Sequence, residues 1–499
     1  MELQFQKSPV RCMKNLLRRV EYGEMSQELR LTEGMPDIGR VLCSWGQVVL
    51  RSKEWNREEA AVSGGVMVWV LYAPEDGTEP RCLEGWIPFQ LKWELPENAR
   101  DGKLRICPLL RFVDGRSISP RKMMVRTGVA ALCEAMEDSQ SELYAPPELP
   151  EDVQILTHMY PVRVPREAGE KTYVLDEDLI IPPSAPQPAK LLGYTVRPDV
   201  YDGKVAGDKV VFRGTGNVHV IYRCPEGRIH TWDFEVPFSQ YGELEGQYGL
   251  DSQVDFHTAV TDLELNHNEQ GQLRLKCGLV SQYLVDERML LEMTEDTYSP
   301  KREIIFETAM LEIPGILEDR TESVSARQTM PTHTGDMVDM QFFPDFPRIR
   351  KIPGEMEMEI HGMFQILYYG EDGSLQSGNA RWETRLPFPA DEHSIVAASI
   401  QPSGRMNAMQ GPEGFDLSAE MQLRMRTMSD CGQEMVTQLE LGELREDNDG
   451  TPSLILRAMG EDSLWNLAKR CGSTVAAIQR ANGLSGEPES GKMLLIPVG

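Results

Sequence analysis

The sequence predicts a mainly β protein: three tandem antiparallel β modules, each a sandwich or open barrel, followed by a small βααβ domain. Three observations carry this expectation. Apolar and polar residues alternate in many runs of strand length. One strand, turn, strand unit occurs three times along the chain, and helical spacing is confined to the two ends.

The clearest copy of that unit alternates through residues 217–222 to Tyr222, turns at Gly227 and returns through Trp232 to Pro237 and Phe238. The first copy runs through 66–72 to Tyr72, turns at Gly77 and returns through Trp86 to Pro88 and Phe89. The third runs through 363–368 to Tyr368, turns at Gly373 and returns through Trp382 to Pro387 and Phe388. Each glycine follows its tyrosine by five residues, where a tight turn needs a residue that tolerates positive φ. Tyr72 and Tyr222 are 150 residues apart, and Tyr222 and Tyr368 are 146 apart. The offset of 150 holds upstream as well: Leu29, Leu31, Pro36, Arg40, Val41 and Leu42 fall on Leu179, Ile181, Pro186, Lys190, Leu191 and Leu192. A period of this size is a whole domain rather than a solenoid repeat, so the chain reads as a tandem duplication.

Composition bounds the function. The chain has 499 residues, a net charge of −27 and a pI near 4.8. Such acidity argues against nucleic acid or anionic lipid as the main partner, because phosphate binding draws on clustered Lys and Arg. The first residues lack the charged-then-apolar order of a signal peptide, and no apolar run is long enough to span a bilayer. The expectation is a protein of a reducing cytoplasm without a transmembrane segment. The nine cysteines are scattered without a C-x-x-C pair, and the eight histidines form no H-x-x-x-H pair, so neither a zinc site nor any other metal or cofactor is expected. No serine sits in G-x-S-x-G. Glycines and lysine at Gly486, Gly491 and Lys492 have P-loop spacing, but Met493 replaces the hydroxyl that holds magnesium, and Glu487 and Glu489 would repel phosphate. No catalytic constellation emerges, and the expectation is a protein that is not an enzyme.

In chain order, residues 1–23 read as a basic amphipathic helix. Val10, Met13, Leu16, Leu17 and Val20 form an apolar stripe, with Lys7, Arg11, Lys14, Arg18 and Arg19 around it. Such a helix either docks an acidic partner or a membrane surface, or packs on the first module with its basic face in solvent. Residues 24–135 form the first repeat. Residues 136–170 are dense in Glu and Pro and read as an extended connector. The second repeat covers 171–310, and the polar stretch 318–328 leads into the third, over 325–445, where Leu417, Ala419, Met421, Leu423 and Met425 keep period two.

The terminal segment, 453–499, begins with a short apolar strand. Asp462 and Ser463 then cap a helix that carries Leu464, Leu467 and Ala468 on one face. Trp465 is expected to pack between the helices. Thr474 caps a second helix containing Ile478, which stops at Asn482 and Gly483, and residues 493–496 make a second strand. These residues, with Leu484 and Gly491 through Ile496 and Pro497, resemble a LysM domain. That resemblance implies a shallow groove for N-acetylglucosamine polymers between the loop entering the first helix and the loop leaving the second. Its lining would be Glu461, Asp462, Ser463, Leu464, Asn482, Gly483 and Leu484, with Glu461 where the family has glycine.

The repeats have a resemblance of their own. Pro36, Arg40, Val41 and Leu42, the alternating strand ending in tyrosine and the closing proline and phenylalanine look like the module DUF3794. Three such copies before a LysM domain are similar to SipL-type spore coat morphogenetic proteins. That similarity implies a non-enzymatic scaffold in the mother-cell cytoplasm, at the forespore surface. Its LysM domain would bind the coat's morphogenetic ATPase or another coat protein. The alternative is a peptidoglycan or cortex-glycan binding protein.

Overall fold

The computed structural model describes residues 1–97, 99–267, 272–331, 335–352, 355–388, 395–445, 453–460 and 462–498. The first module contains β1 (Glu2–Gln4), β2 (Gln6–Arg30), β3 (Ile38–Asn56), β4 (Glu59–Pro74), β5 (Arg81–Glu94), β6 (Lys103–Ser119) and β7 (Lys122–Ala145). The second contains β8 (Gln154–Leu179), β9 (Lys190–Ala206), β10 (Lys209–Arg223), β11 (Ile229–Glu243), β12 (Gln253–His267) and β13 (Leu273–Tyr298). The third contains β14 (Arg302–Pro331), β15 (Gly335–Pro344), β16 (Arg348–Ile352), β17 (Glu355–Gly370), β18 (Leu375–Phe388), β19 (Ile395–Gly411) and β20 (Gly414–Leu444). The terminal domain consists of β21 (Leu454–Ala458), α1 (Leu464–Cys471), α2 (Val475–Asn482) and β22 (Met493–Pro497).

Each module is two antiparallel sheets with the same plan. The inner hairpins give β3-β4-β5, β9-β10-β11 and, with its first strand broken in two, β15/β16-β17-β18. The flanking long strands give β2-β7-β6, β12-β13-β8 and β14-β20-β19. The repeated unit of the sequence is the central hairpin of the first kind of sheet. Its turn glycines Gly77, Gly227 and Gly373 have φ of 73°, 87° and 75°. The tyrosine before each turn is tied down. Tyr72 Oη donates to Pro36 O at 3.0 Å and Tyr222 Oη to Pro186 O at 2.8 Å, whereas Tyr368 Oη donates to Gln376 Oε1 at 3.0 Å. The period-two residues Leu417 to Met425 are buried in β20, together with the hairpin core of the third module.

Three expectations are corrected. Residues 6–30 are strand, not helix, paired with β7 from Gln6↔Ala145 to Arg30↔Lys122. A register shift between Asn15 and Leu17 moves the alternation by one residue, and an alternating pattern interrupted in this way imitates helical spacing. The basic residues there are not a free docking face, because Arg18 Nη1 lies 2.7 Å from Glu134 Oε1 and Lys7 Nζ 2.7 Å from Glu142 Oε2. The connector shrinks to residues 146–153, since β7 continues to Ala145 and β8 starts at Gln154. Pro161 and Pro165 are accommodated because β8 is an edge strand, where a missing N–H breaks no ladder. The polar stretch 318–328 lies inside β14, paired with β20 rather than bridging two modules.

The modules form one body. β1 leaves the first module and pairs with β20 of the third, Leu3 opposite Leu439. A single apolar cluster joins Trp45 and Trp69 of the first module to Tyr194 and Val218 of the second and to Leu367 of the third. Where the three long sheets meet, an ion network is buried. Arg105 Nη1 lies 2.7 Å from Glu134 Oε2, and Arg426 Nη2 lies 3.0 Å from Asp286 Oδ2. Arg163 reaches Asp286 at 3.0 Å and Asp319 at 3.2 Å.

Candidate binding module and its setting

The terminal domain is held by its caps. Ser463 Oγ accepts from Asn466 N at 3.3 Å, and Thr474 Oγ1 accepts from Ala477 N at 3.1 Å. Gly472 and Gly483 end the two helices with φ of 65° and 63°. Leu464, Leu467, Ala468, Ile478, Leu494 and Ile496 make its core.

The residues expected to line a groove are brought to one end of this domain, but several are occupied. Asp462 is exposed and paired with Arg470. Ser463 spends its hydroxyl on the cap. Leu464 is 1% exposed, so its side chain belongs to the core and only its N–H faces the loops. Asn482 clamps β22, donating to Leu495 O at 2.6 Å while its Oδ1 accepts from Leu495 N at 2.8 Å. Gly483 is the left-handed cap, and Leu484 is half-buried against the core. Glu461 lies outside the described residues.

Sequence reasoning missed two features. The first is Glu487, set aside there as part of a false P-loop. Its carboxylate accepts from Leu464 N, Oε2 at 2.9 Å and Oε1 at 3.1 Å, and so ties the loop after α2 to the start of α1. A carboxylate is favourable there because the first N–H groups of a helix are unpaired and carry partial positive charge. The second is how the domain is seated. Trp465 does not pack between the helices: its ring meets Tyr298 edge-on at 4.8 Å, and its Nε1 donates to Asp296 Oδ2 at 2.7 Å. Lys469 Nζ donates to the same carboxylate, at 2.7 Å to Oδ1 and 2.9 Å to Oδ2. Tyr298 Oη donates to Ser473 O at 3.0 Å, and burial pushes its hydroxyl up to about 12. The end of β13 is therefore the pedestal of the terminal domain. A tryptophan with a polar tip on a short helix was the available signal, since a buried indole N–H needs a partner.

One face of this domain is open. Leu454, Leu456 and Ala458 on β21 stand opposite Pro497, Leu495 and Met493 on β22, so all six share the sheet face turned away from the core. Leu454, Leu456, Met493 and Leu495 are 53%, 62%, 53% and 40% exposed.

Elsewhere the chemistry is structural. Among the described residues, Glu134, Asp255 and His257 bring ligand-type atoms within 4.8 Å of one another. Both carboxylates are already met by Arg105, at 2.7 Å and 2.8 Å, which opposes a cation there. Burial alone would raise Glu134, and Arg18 and Arg105 more than reverse it, holding its carboxyl well below the usual range. The eight described cysteines are free thiols. Among the described residues no helix is long and apolar enough to cross a membrane.

Comparison with protein families gives two matches. Residues 188–267, which span β9 to β12, match the SPOCS domain of SipL, and residues 461–497 match the LysM domain. The second repeat is thus matched under the SPOCS name rather than as DUF3794. No curated protein and no solved structure matches the chain. The SPOCS match covers the central hairpin sheet of the second module and the strand that follows it, a unit whose topology recurs in the first and third modules. By these two matches this mainly β chain is similar to SipL, through a SPOCS domain in its second module and a LysM domain at residues 461–497.

Proposed function

We propose that this protein is a non-enzymatic adaptor of spore envelope assembly, acting in the mother-cell cytoplasm at the forespore surface. The SPOCS modules are its rigid body, and the LysM domain recognises a coat protein, the morphogenetic ATPase of the coat's basal layer. The observation that carries the partner reading is the exposed apolar face of β21 and β22. Four large side chains, Leu454, Leu456, Met493 and Leu495, stand in one cluster, and contiguous exposed apolar surface of this kind marks a protein interface. The groove residues lean the same way. The Asn482 amide and Ser463 hydroxyl are engaged internally, and Glu487 covers the N–H of Leu464. Fewer polar groups are left to hold sugar hydroxyls.

The second reading, a peptidoglycan or cortex-glycan binding protein, is favoured by the LysM match itself, because that family binds N-acetylglucosamine polymers. One experiment separates the two. The full chain is tested for binding to the purified coat ATPase and for pelleting with purified peptidoglycan, alongside a Leu456→Glu, Met493→Glu variant. The adaptor reading expects ATPase binding that the variant loses while its circular dichroism and melting stay unchanged. Pelleting with peptidoglycan and no ATPase binding would replace it with the glycan reading.

A further inference from the structure

The sheet of the terminal domain has two strands, and among the described residues no strand pairs with the outer edge of β21. Hydrogen bonds fix which groups that edge presents. Asn482 holds both main-chain groups of Leu495 from the side away from β21, donating to its O at 2.6 Å and accepting from its N at 2.8 Å. Opposed residues of an antiparallel ladder exchange both bonds or neither. Leu456, opposite Leu495, therefore turns its N–H and C=O outwards, and by alternation so do Leu454 and Ala458. The inward bonds keep the same phase: Val498 N donates to Ser453 O at 3.1 Å and Met459 N to Lys492 O at 2.8 Å. Ser453, Leu454 and residues 456–458 are exposed.

Edge strands of the three modules are blunted. β5, β11 and β18, each at the edge of its sheet, carry Pro88, Pro237 and Pro387, and β8 carries Pro161 and Pro165. Proline removes a donor from an edge and so keeps foreign strands off it. β21, Leu-Ile-Leu-Arg-Ala, has neither proline nor lysine. One face of its edge is apolar through Leu454 and Leu456, and the other carries a cation. Arg457 is exposed, its Nη1 lies 3.9 Å from Cys471 Sγ, and it makes no ion pair among the described residues. Side chains of a strand laid beside β21 alternate in the same way, so apolar ones extend the leucine face and acidic ones fall beside Arg457. A second copy fits less well. Two β21 strands paired about Leu456 would set Arg457 opposite Ile455, and two chains of net charge −27 repel.

We propose that β21 takes up an extended segment of a partner protein, with apolar and acidic residues in alternation, as a third strand of the terminal sheet. This rests on the reading of the leucine face as a partner interface and adds its mode. Backbone pairing supplies affinity, while the leucine face and Arg457 select the sequence.

The test is fluorescence anisotropy of the full chain with the peptide Thr-Val-Asp-Val-Glu-Val-Thr, fluorescein on its N-terminus and its C-terminus amidated. Saturable binding is expected. N-methylating the valine amides abolishes it for antiparallel addition, and N-methylating the two acidic residues' amides abolishes it for parallel addition, the other set being tolerated in each case. Ala458→Pro deletes an outward N–H, leaves the ladder to β22 intact and weakens binding by about five-fold. Arg457→Gln weakens it by about two- to five-fold, the size of an exposed ion pair. Absence of saturable binding overturns the proposal, as does binding that both methylated peptides retain or both lose, or a folded Ala458→Pro variant that binds unchanged. Dimers in sedimentation equilibrium that Ala458→Pro abolishes overturn it in favour of a second copy. The partner reading is decided separately. Coat ATPase bound equally by the natural chain and by Ala458→Pro upholds that reading and overturns strand addition, whereas the expected methylation pattern without ATPase binding upholds strand addition and removes the ATPase.

Discussion

Arg105 Nη2 donates to Asp255 Oδ2 at 2.8 Å, and the two residues hold the same place in successive modules, 150 residues apart. Register gives the equivalence: Lys103 pairs with Met136, Gln253 with Asp286 and Ile395 with Met428. The place of Arg105 is therefore taken by Asp255 and then Ala397. On the partner strand Glu134 is replaced by Leu284 and then Arg426. On the third strand Arg18, opposite Glu134, is replaced by Ala168 and then by Asp319, which neighbours Arg426 at 3.1 Å. Duplicated positions carry complementary charges instead of identical ones. The network thereby makes the three modules non-equivalent where they meet.

Breaking this network on one side should be severe. Arg105→Met leaves Glu134 and Asp255 short of a buried cation and should cost about 3–5 kcal/mol, the usual penalty for orphaning a buried charge. Denaturant titration of the full chain measures it, and in a double-mutant cycle with Asp255→Asn the two effects should be clearly less than additive. Additive losses would show that the pair does not act as a unit.

The seat of the LysM domain should be separable from its fold. Asp296→Ala removes the carboxylate shared by Trp465 and Lys469, so the domain should come loose while its own core stays intact. Limited proteolysis between residues 445 and 453 should become faster, and amide signals of α1 and α2 should remain dispersed. Unchanged proteolysis would mean that Tyr298 alone holds it.

Leu464→Glu should unfold the terminal domain rather than edit a binding surface, because the side chain is 1% exposed. Burying an unpaired carboxylate costs several kcal/mol, more than so small a core can absorb. Loss of the helical circular-dichroism contribution, with the β modules still melting cooperatively, is the expected result.

Glu487→Ala should destabilise the same domain mildly, by about 0.5–2 kcal/mol, the range for a lost helix cap. Thermal melting of the terminal domain measures this.

Two histidines give opposite pH limbs. Burial, reinforced by Arg105, pushes His257 down to about 4, against about 6.5 unfolded. Between those values the unfolded chain binds the extra proton, so stability falls as pH drops through that window. For His219 burial alone would lower the value, but Asp339 and Asp233 outweigh it and hold the ring up to about 10. Its contribution is complete below about 6.5 and is lost as pH rises towards 10. His257→Gln should flatten the acid limb and His219→Gln the alkaline one in denaturation midpoints taken from pH 4 to 10.

The hairpins and the LysM helices could be read from the chain because their signals are local. Alternation, a glycine after each tyrosine, and caps at Ser463, Thr474 and Gly483 act over a few residues, and all recur in the structure. The strand at 6–30 could not be read, because one bulge shifts the alternation and only pairing with β7 reveals it. The same holds for the connector, whose prolines lie on an edge strand that the sequence does not mark as an edge. Of the expected groove residues, the sequence did not show that Leu464 faces inward or that Asn482 is bonded to Leu495.

By itself, then, the sequence determined the repeat, the turns and the kind of module, since each depends on neighbours within one hairpin or helix. Tertiary structure alone decided which charges meet. Arg105 and Asp255, Arg426 and Asp286, and Trp465 and Asp296 are separated by 150, 140 and 169 residues. A buried charge or indole is satisfied by whatever packing brings within about 3 Å, and no local pattern records that partner.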